Sequence, residues 1–195
     1  MIALSRGRRV DVVLRSLGPR QPSMPIFVLY IHAEIEGVAK FGPVDETTWT
    51  FDVKQGGGSD VREGVVIDPE EEREVPESKN ASANFMLKFE GDRKFSYLKV
   101  LKPGGEGWPK SLKLKPQTPE DGENMVPIFA CECRGMEPVK WTPIGPYYVE
   151  GESGTVFDEV GFRDGDDWCD YDEKAETSMT VGKDIKHEFR LHKEK

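Results

Sequence analysis

Phe27-Val28-Leu29-Tyr30-Ile31-His32-Ala33-Glu34-Ile35-Glu36 decides the reading of the fold. Phe27, Leu29, Ile31, Ala33 and Ile35 are apolar at every second position, with Tyr30, His32, Glu34 and Glu36 between them. Successive side chains of a strand point to opposite faces, so this is the period of a half-buried β-strand. Working outward, Trp49, Phe51 and Val53 alternate with Thr50, Asp52 and Lys54, and Phe85, Leu87 and Phe89 alternate with Met86, Lys88 and Glu90. Ile185, His187, Phe189 and Leu191 repeat the pattern near the end. Turn-formers separate these runs: Gly56 to Ser59, Pro103-Gly104-Gly105, Pro116 to Gly122 and Gly161 to Gly165. No stretch holds a 3.6-residue apolar period over three turns, and the best helix candidate is short, from Tyr171 to Ser178. A mostly-β protein is expected, with long loops and at most one or two short helices.

Glu34-Ile35-Glu36-Gly37-Val38, leading to Phe41 and Pro43, resembles Glu132-Cys133-Arg134-Gly135-Met136, leading to Trp141 and Pro143. Two related β halves give this pattern, and so do two unrelated strand–glycine–turn units. On the first reading the chain divides into a basic extension (1–26), an N-terminal β half (27–102), a linker (103–124) and a C-terminal β half (125–195).

Composition bounds the function. The 195 residues carry 36 acids against 27 Lys and Arg, a net charge of −9. A general nucleic-acid binder needs a basic face to displace phosphate counterions, so nucleic acid is not an expected partner. No apolar run approaches the ~18 residues of a membrane helix. Residues 1–26 stand apart, with Arg6, Arg8, Arg9, Arg15 and Arg20 against Asp11 for a net +4. Such a leader reads as a mitochondrial presequence, a disordered tail, or the product of a start assigned upstream of Met24. Cys131, Cys133 and Cys169 form no C-x-x-C, so neither a disulfide framework nor a complete cysteine zinc site is encoded. Reduced thiols in the cytoplasm are the expectation, and the sequon at Asn80-Ala81-Ser82 is read as chance.

The chemistry-bearing clusters are sparse. Gly56–Gly58 lacks the Gly-Lys-Ser/Thr of a phosphate loop. His32, Glu34 and Glu36 share a strand face, a pattern that suits a metal or, more simply, a solvated face. Cys131 and Cys133 share a face but lack two further ligands. The acidic segment Asp164, Asp166, Asp167, Asp170, Asp172, Glu173 fails calcium-loop spacing, with Trp168 and Cys169 at positions that should hold a ligand and a turn glycine. With three histidines and no nucleophile–base arrangement, an enzyme is not expected.

Three segments carry a family resemblance: Cys133-Arg134-Gly135-Met136-Glu137-Pro138, Glu152-Ser153-Gly154-Thr155-Val156-Phe157, and Asp167-Trp168-Cys169-Asp170-Tyr171-Asp172-Glu173-Lys174. They resemble the DUF866 (UPF0587) family, the CXXC-motif-containing zinc-binding proteins of eukaryotes. Met24-Pro25 with His32 to Val38, and Ser82-Ala83-Asn84-Phe85 with Lys88, agree more loosely, over about residues 24–192 in all. The resemblance implies two related β halves, one structural zinc held by two C-x-x-C pairs in the N-terminal half, no established catalysis, and a role through protein contacts. It also favours Met24 as the ancestral start.

The four positions matching the family's ligand cysteines are Gln55, Gly58, Phe89 and Asp92. Glycine and phenylalanine carry no donor, and Gln55 and Asp92 cannot replace a tetrahedral sulfur set. No zinc or other cofactor is expected. Function is then expected to be non-catalytic, through an unidentified protein partner, with Arg134, Glu137, Asp167, Trp168, Asp170, Tyr171 and Asp172 as the interaction surface. The alternative is a metal-binding protein with a non-cysteine or rearranged site.

Overall fold

A computed structural model describes residues 24–193, apart from 77, 79, 80 and 163. The expectations for the leader before Met24 and for Asn80 lie outside the described residues. The chain is mostly β, as its alternation predicts, and among the described residues a single 3-10 turn at Pro119–Asp121 is the one helical element. No helix among them is long and apolar enough to cross a membrane.

The strands in order are β1 (Ile26–His32), β2 (Ile35–Glu36), β3 (Val38–Pro43), β4 (Trp49–Gln55), β5 (Val61–Ile67), β6 (Arg73–Glu74), β7 (Ser82–Ala83), β8 (Phe85–Leu87), β9 (Ser96–Val100), β10 (Val126–Arg134), β11 (Met136–Thr142), β12 (Tyr147–Gly151), β13 (Val156–Val160), β14 (Trp168–Asp172), β15 (Thr177–Val181) and β16 (Lys186–His192). They form a five-stranded sheet ordered β16-β1-β10-β9-β8, three-stranded sheets β11-β4-β5, β13-β12-β3 and β14-β15-β2, and the pair β6-β7.

Each of the four larger sheets draws strands from both 27–102 and 125–195. The exchange is reciprocal: β11 pairs with the hairpin β4-β5, while β3 pairs with the hairpin β12-β13. Between them β1 and β10 run antiparallel, Val28 opposite Ala130. The repeated motif glycines behave alike. Gly37 and Gly135 sit at φ +65 and +71, and a Cβ on either would lie 2.3 Å from the Ser178 carbonyl oxygen or 2.4 Å from Ser96 Oγ. Only glycine meets both demands.

Two differences from the sequence expectation stand out. Val28 interrupts the alternation of β1 because that strand is covered on both faces. Leu29 and Ile31 enter the main core, while Val28 packs with Leu101, Leu112 and Ala130. The segment read as a linker therefore contributes a small core of its own. Gln117 within it is buried. Its backbone pairs with Phe41, and its side-chain amide donates to the Ala33 carbonyl (2.7 Å) and accepts from the Ala33 N–H (2.8 Å), extending the ladder past the end of β1. Second, Tyr171–Ser178 is no helix but the β14–β15 hairpin, with Glu176 at φ 50 in its turn. A tight turn between two short strands leaves too few residues for a period-2 signal to declare itself.

Candidate functional site

β4 runs into the turn Gln55–Gly58, and a second turn, Phe89–Asp92, follows β8. Each is closed by a backbone bond three residues apart: Gly58 N–H donates to the Gln55 carbonyl (3.1 Å) and Asp92 N–H to that of Phe89 (3.1 Å). The turns meet through their side chains, where Gln55 Nε2 donates to Asp92 Oδ1 at 3.0 Å. Gln55 also folds over Gly58, since a Cβ built there would lie 2.1 Å from Gln55 Oε1. Phe89 points into the main core at 2% exposure. Two facing turns of C-x-x-C length are the frame of a double zinc knuckle. At the four matching positions the donors are one amide and one carboxylate, joined to each other by that bond, and this set does not fit a tetrahedral zinc.

The remaining metal candidates do not assemble. Among the described residues no group of three or more His, Cys, Asp or Glu side chains could hold a metal ion. His32 is buried, its Nε2 3.9 Å from Glu123, while Glu34 and Glu36 are exposed. Cys131 and Cys133 are fully buried with their sulfurs 3.7 Å apart, and burial, followed by the Cys133 thiol beside it, pushes the Cys131 thiol well above its ordinary value. A thiol held protonated is a poor metal ligand.

The expected interaction residues fall in two places. Arg134 and Glu137 are exposed around the β10–β11 turn, Glu137 opposite Lys54. Asp167, Trp168, Asp170 and Tyr171 lie at or beside β14, in the sheet with β15 and β2. Tyr171 is 50% exposed, whereas Trp168 is half-buried against Phe157, ring centroids 5.5 Å apart.

Asp172 does not belong to that surface. It is fully buried, and its carboxylate accepts from Ser153 Oγ (2.6 Å), Thr155 Oγ1 (3.1 Å) and the N–H groups of Ser153, Lys174 and Ala175. Two of the motifs quoted for the resemblance are thus the two sides of one clasp. In sequence Asp172 is one acid in a run of six, and only the hydroxyls contributed 17 and 19 residues earlier single it out. The Ser153 hydroxyl first, then the turn amides and Thr155, hold its carboxyl down at about 2 from the ordinary 3.8. A group depressed on folding contributes stability above its unfolded value that is lost as pH falls through the folded one. Asp172→Asn should therefore flatten the acid-side loss of stability between about pH 4 and pH 2, as read from urea midpoints of the two proteins across that window.

Fold and site together define an all-β protein built on two facing, knuckle-like turns. The chain belongs to the eukaryotic family of CXXC motif containing zinc binding proteins, whose model matches residues 28–190. Over 163 residues it is 29% identical to the protein of that name from Bos taurus, covering 83% of this chain and 95% of the relative. A UPF0587 protein of Schizosaccharomyces pombe is 31% identical over 159 residues, 80% of this chain and 92% of its own length. The Homo sapiens protein is 42% identical over 80 residues, 49% of its length. Among solved structures, C1orf123 superposes with a TM-score of 0.73 at 28% identity over 86% of this chain and 99% of the other. A hypothetical protein from Plasmodium falciparum gives 0.72 at 25% identity, over 86% and 100%.

Proposed function

We propose that this chain is a non-catalytic member of its family that carries no structural zinc and acts through contacts with another protein. The observation that carries the reading is the Gln55–Asp92 hydrogen bond at the knuckle turns. Of the four positions that match the family's ligand cysteines it joins the two whose side chains carry a donor or acceptor, and Gly58 and Phe89 add none. Loss of all four thiolates together is coherent, because no stranded buried charge is left behind.

The absence of catalysis is supported by what the histidines do. His32 is buried at the end of β1, His187 Nε2 accepts the Trp141 N–H at 3.2 Å, and His192 lies 3.2 Å from Ser111 Oγ. Exposed Arg134, Glu137, Asp167, Asp170 and Tyr171, with half-buried Trp168, offer mixed charge and aromatic surface to a protein partner. The net charge of −9 speaks against nucleic acid, and three free cysteines suit the reducing cytoplasm.

Purified protein should contain well below one zinc per chain, and a chelator should leave its Tm unchanged. Cross-linked partners captured by wild type should be lost from Tyr171→Ala and Asp170→Ala. One zinc per chain would establish the metal-binding reading instead, and an unchanged capture profile would remove the proposed surface.

A further inference from the structure

The two turns carry more than each other. Gly135 carbonyl accepts both the Gly56 N–H (2.9 Å) and Ser96 Oγ (3.0 Å), so the first turn holds the β10–β11 turn, with Arg134 next to it. Lys94 and Phe95 follow the second turn by two and three residues. Arg134, Lys94 and Phe95 converge on one cavity of about 170 Å³, completed by Val75, Pro76, Ser78 and Tyr97.

This cavity runs against the charge of the molecule. On a chain of net −9, the two charged side chains that line it among the described residues are both cations. Neighbouring lysines are spoken for: Lys99 faces Glu72 at 3.8 Å and Lys102 faces Glu70 at 2.6 Å. Among the described residues, neither Lys94 nor Arg134 has a carboxylate within 4 Å. The wall beside them mixes Ser78 with apolar groups, Val75 and Tyr97 buried and Phe95 left 38% exposed. Two cations and an open aromatic ring around a space the size of one side chain match an acidic residue flanked by an apolar one.

We propose that the Lys94–Phe95–Arg134 cavity docks an acidic peptide segment of a protein partner. The Arg134 fork would take a carboxylate in bidentate fashion, Lys94 would add a point charge, and Phe95 would pack on the neighbouring apolar residue. Gln55 and Asp92 are positioning residues, because both cationic arms hang from the turns they join. The proposal rests on the reading that this protein works through protein contacts, and names the partner chemistry for one site.

Fluorescence anisotropy with a short labelled peptide of alternating glutamate and phenylalanine tests it, on the full chain. Wild type should bind this peptide and not its glutamine counterpart, with affinity falling as salt rises. Arg134→Gln and Lys94→Gln should each weaken binding about tenfold, the loss expected for one charge-assisted hydrogen bond, while circular dichroism stays unchanged. Gln55→Ala should weaken binding less in the Arg134→Gln background than in wild type, because only Lys94 is then left to position, whereas a merely structural loss would act equally in both. Equal binding of the glutamine peptide, or wild-type affinity in both charge variants, would overturn the proposal. So would competition by millimolar inorganic phosphate at full strength, which would make the cavity a free-anion site. A partner lost with Tyr171→Ala but no peptide binding here would leave the protein-contact reading standing and remove this one.

Discussion

Replacing Gln55, Gly58, Phe89 and Asp92 together by cysteine is expected to give a chain that takes up one zinc per molecule and melts well above its metal-free form. The backbone is already in place, since both turns keep the three-residue closure and their side chains reach one another across 3.0 Å. Gly58 lies outside the left-handed region, and the atom nearest its would-be Cβ belongs to Gln55, which the same variant replaces. The losses are one net hydrogen bond, about 1 kcal/mol, and a large-to-small change at buried Phe89, about 3–5 kcal/mol. A structural zinc contributes roughly 10–16 kcal/mol in small domains, so the metal wins. Cobalt substitution should show the thiolate-to-metal bands of a tetrahedral site, and chelation should return the low Tm. A folded variant that binds neither ion would mean that the turns do not hold knuckle geometry. The three-cysteine form that keeps Phe89 repeats the test with its core intact.

Phe51→Ala should cost about 3–5 kcal/mol, the range for truncating a buried phenylalanine. Phe51 is fully buried on β4, with ring centroids 5.3 Å from Phe129 of β10, 5.1 Å from Phe189 of β16 and 6.2 Å from Trp49. It therefore joins two sheets and both segments of the repeat at once. Urea unfolding of the variant should shift as one transition, by fluorescence and circular dichroism alike. Separate transitions for 27–102 and 125–195 would contradict the strand exchange, because neither segment completes a three-stranded sheet without the other.

Against an expected zinc contribution of that size, the Gln55–Asp92 bond and the burial of Phe89, worth about 1.5–3 kcal/mol, are a partial offset. The rest of the stability lies in the continuous core that runs from Leu29 and Ile31 through Phe51, Trp141 and Tyr147 to Met179. A fold closed by exchanged strands is held by pairings distributed along its length, and it depends less on one staple than a small metal-folded domain does.

The positions of β1, β4, β8 and β16, the turns between them and the missing thiolates could all be read from residue order, because side-chain alternation and donor chemistry are local properties. The two strand–glycine–turn motifs, at Gly37 and Gly135, were visible too. What residue order could not give was decided over long separations. The bond from Gln55 to Asp92 spans 37 residues, and the Ser153 and Thr155 hydroxyls turn Asp172 from one acid among several into a buried anchor. The pairing of β3 with β12 and β11 with β4 likewise makes one body of two similar segments. Hydrogen-bond partners and burial are properties of neighbours in space. Only closure of the chain brings Lys94, Phe95 and Arg134 around one cavity.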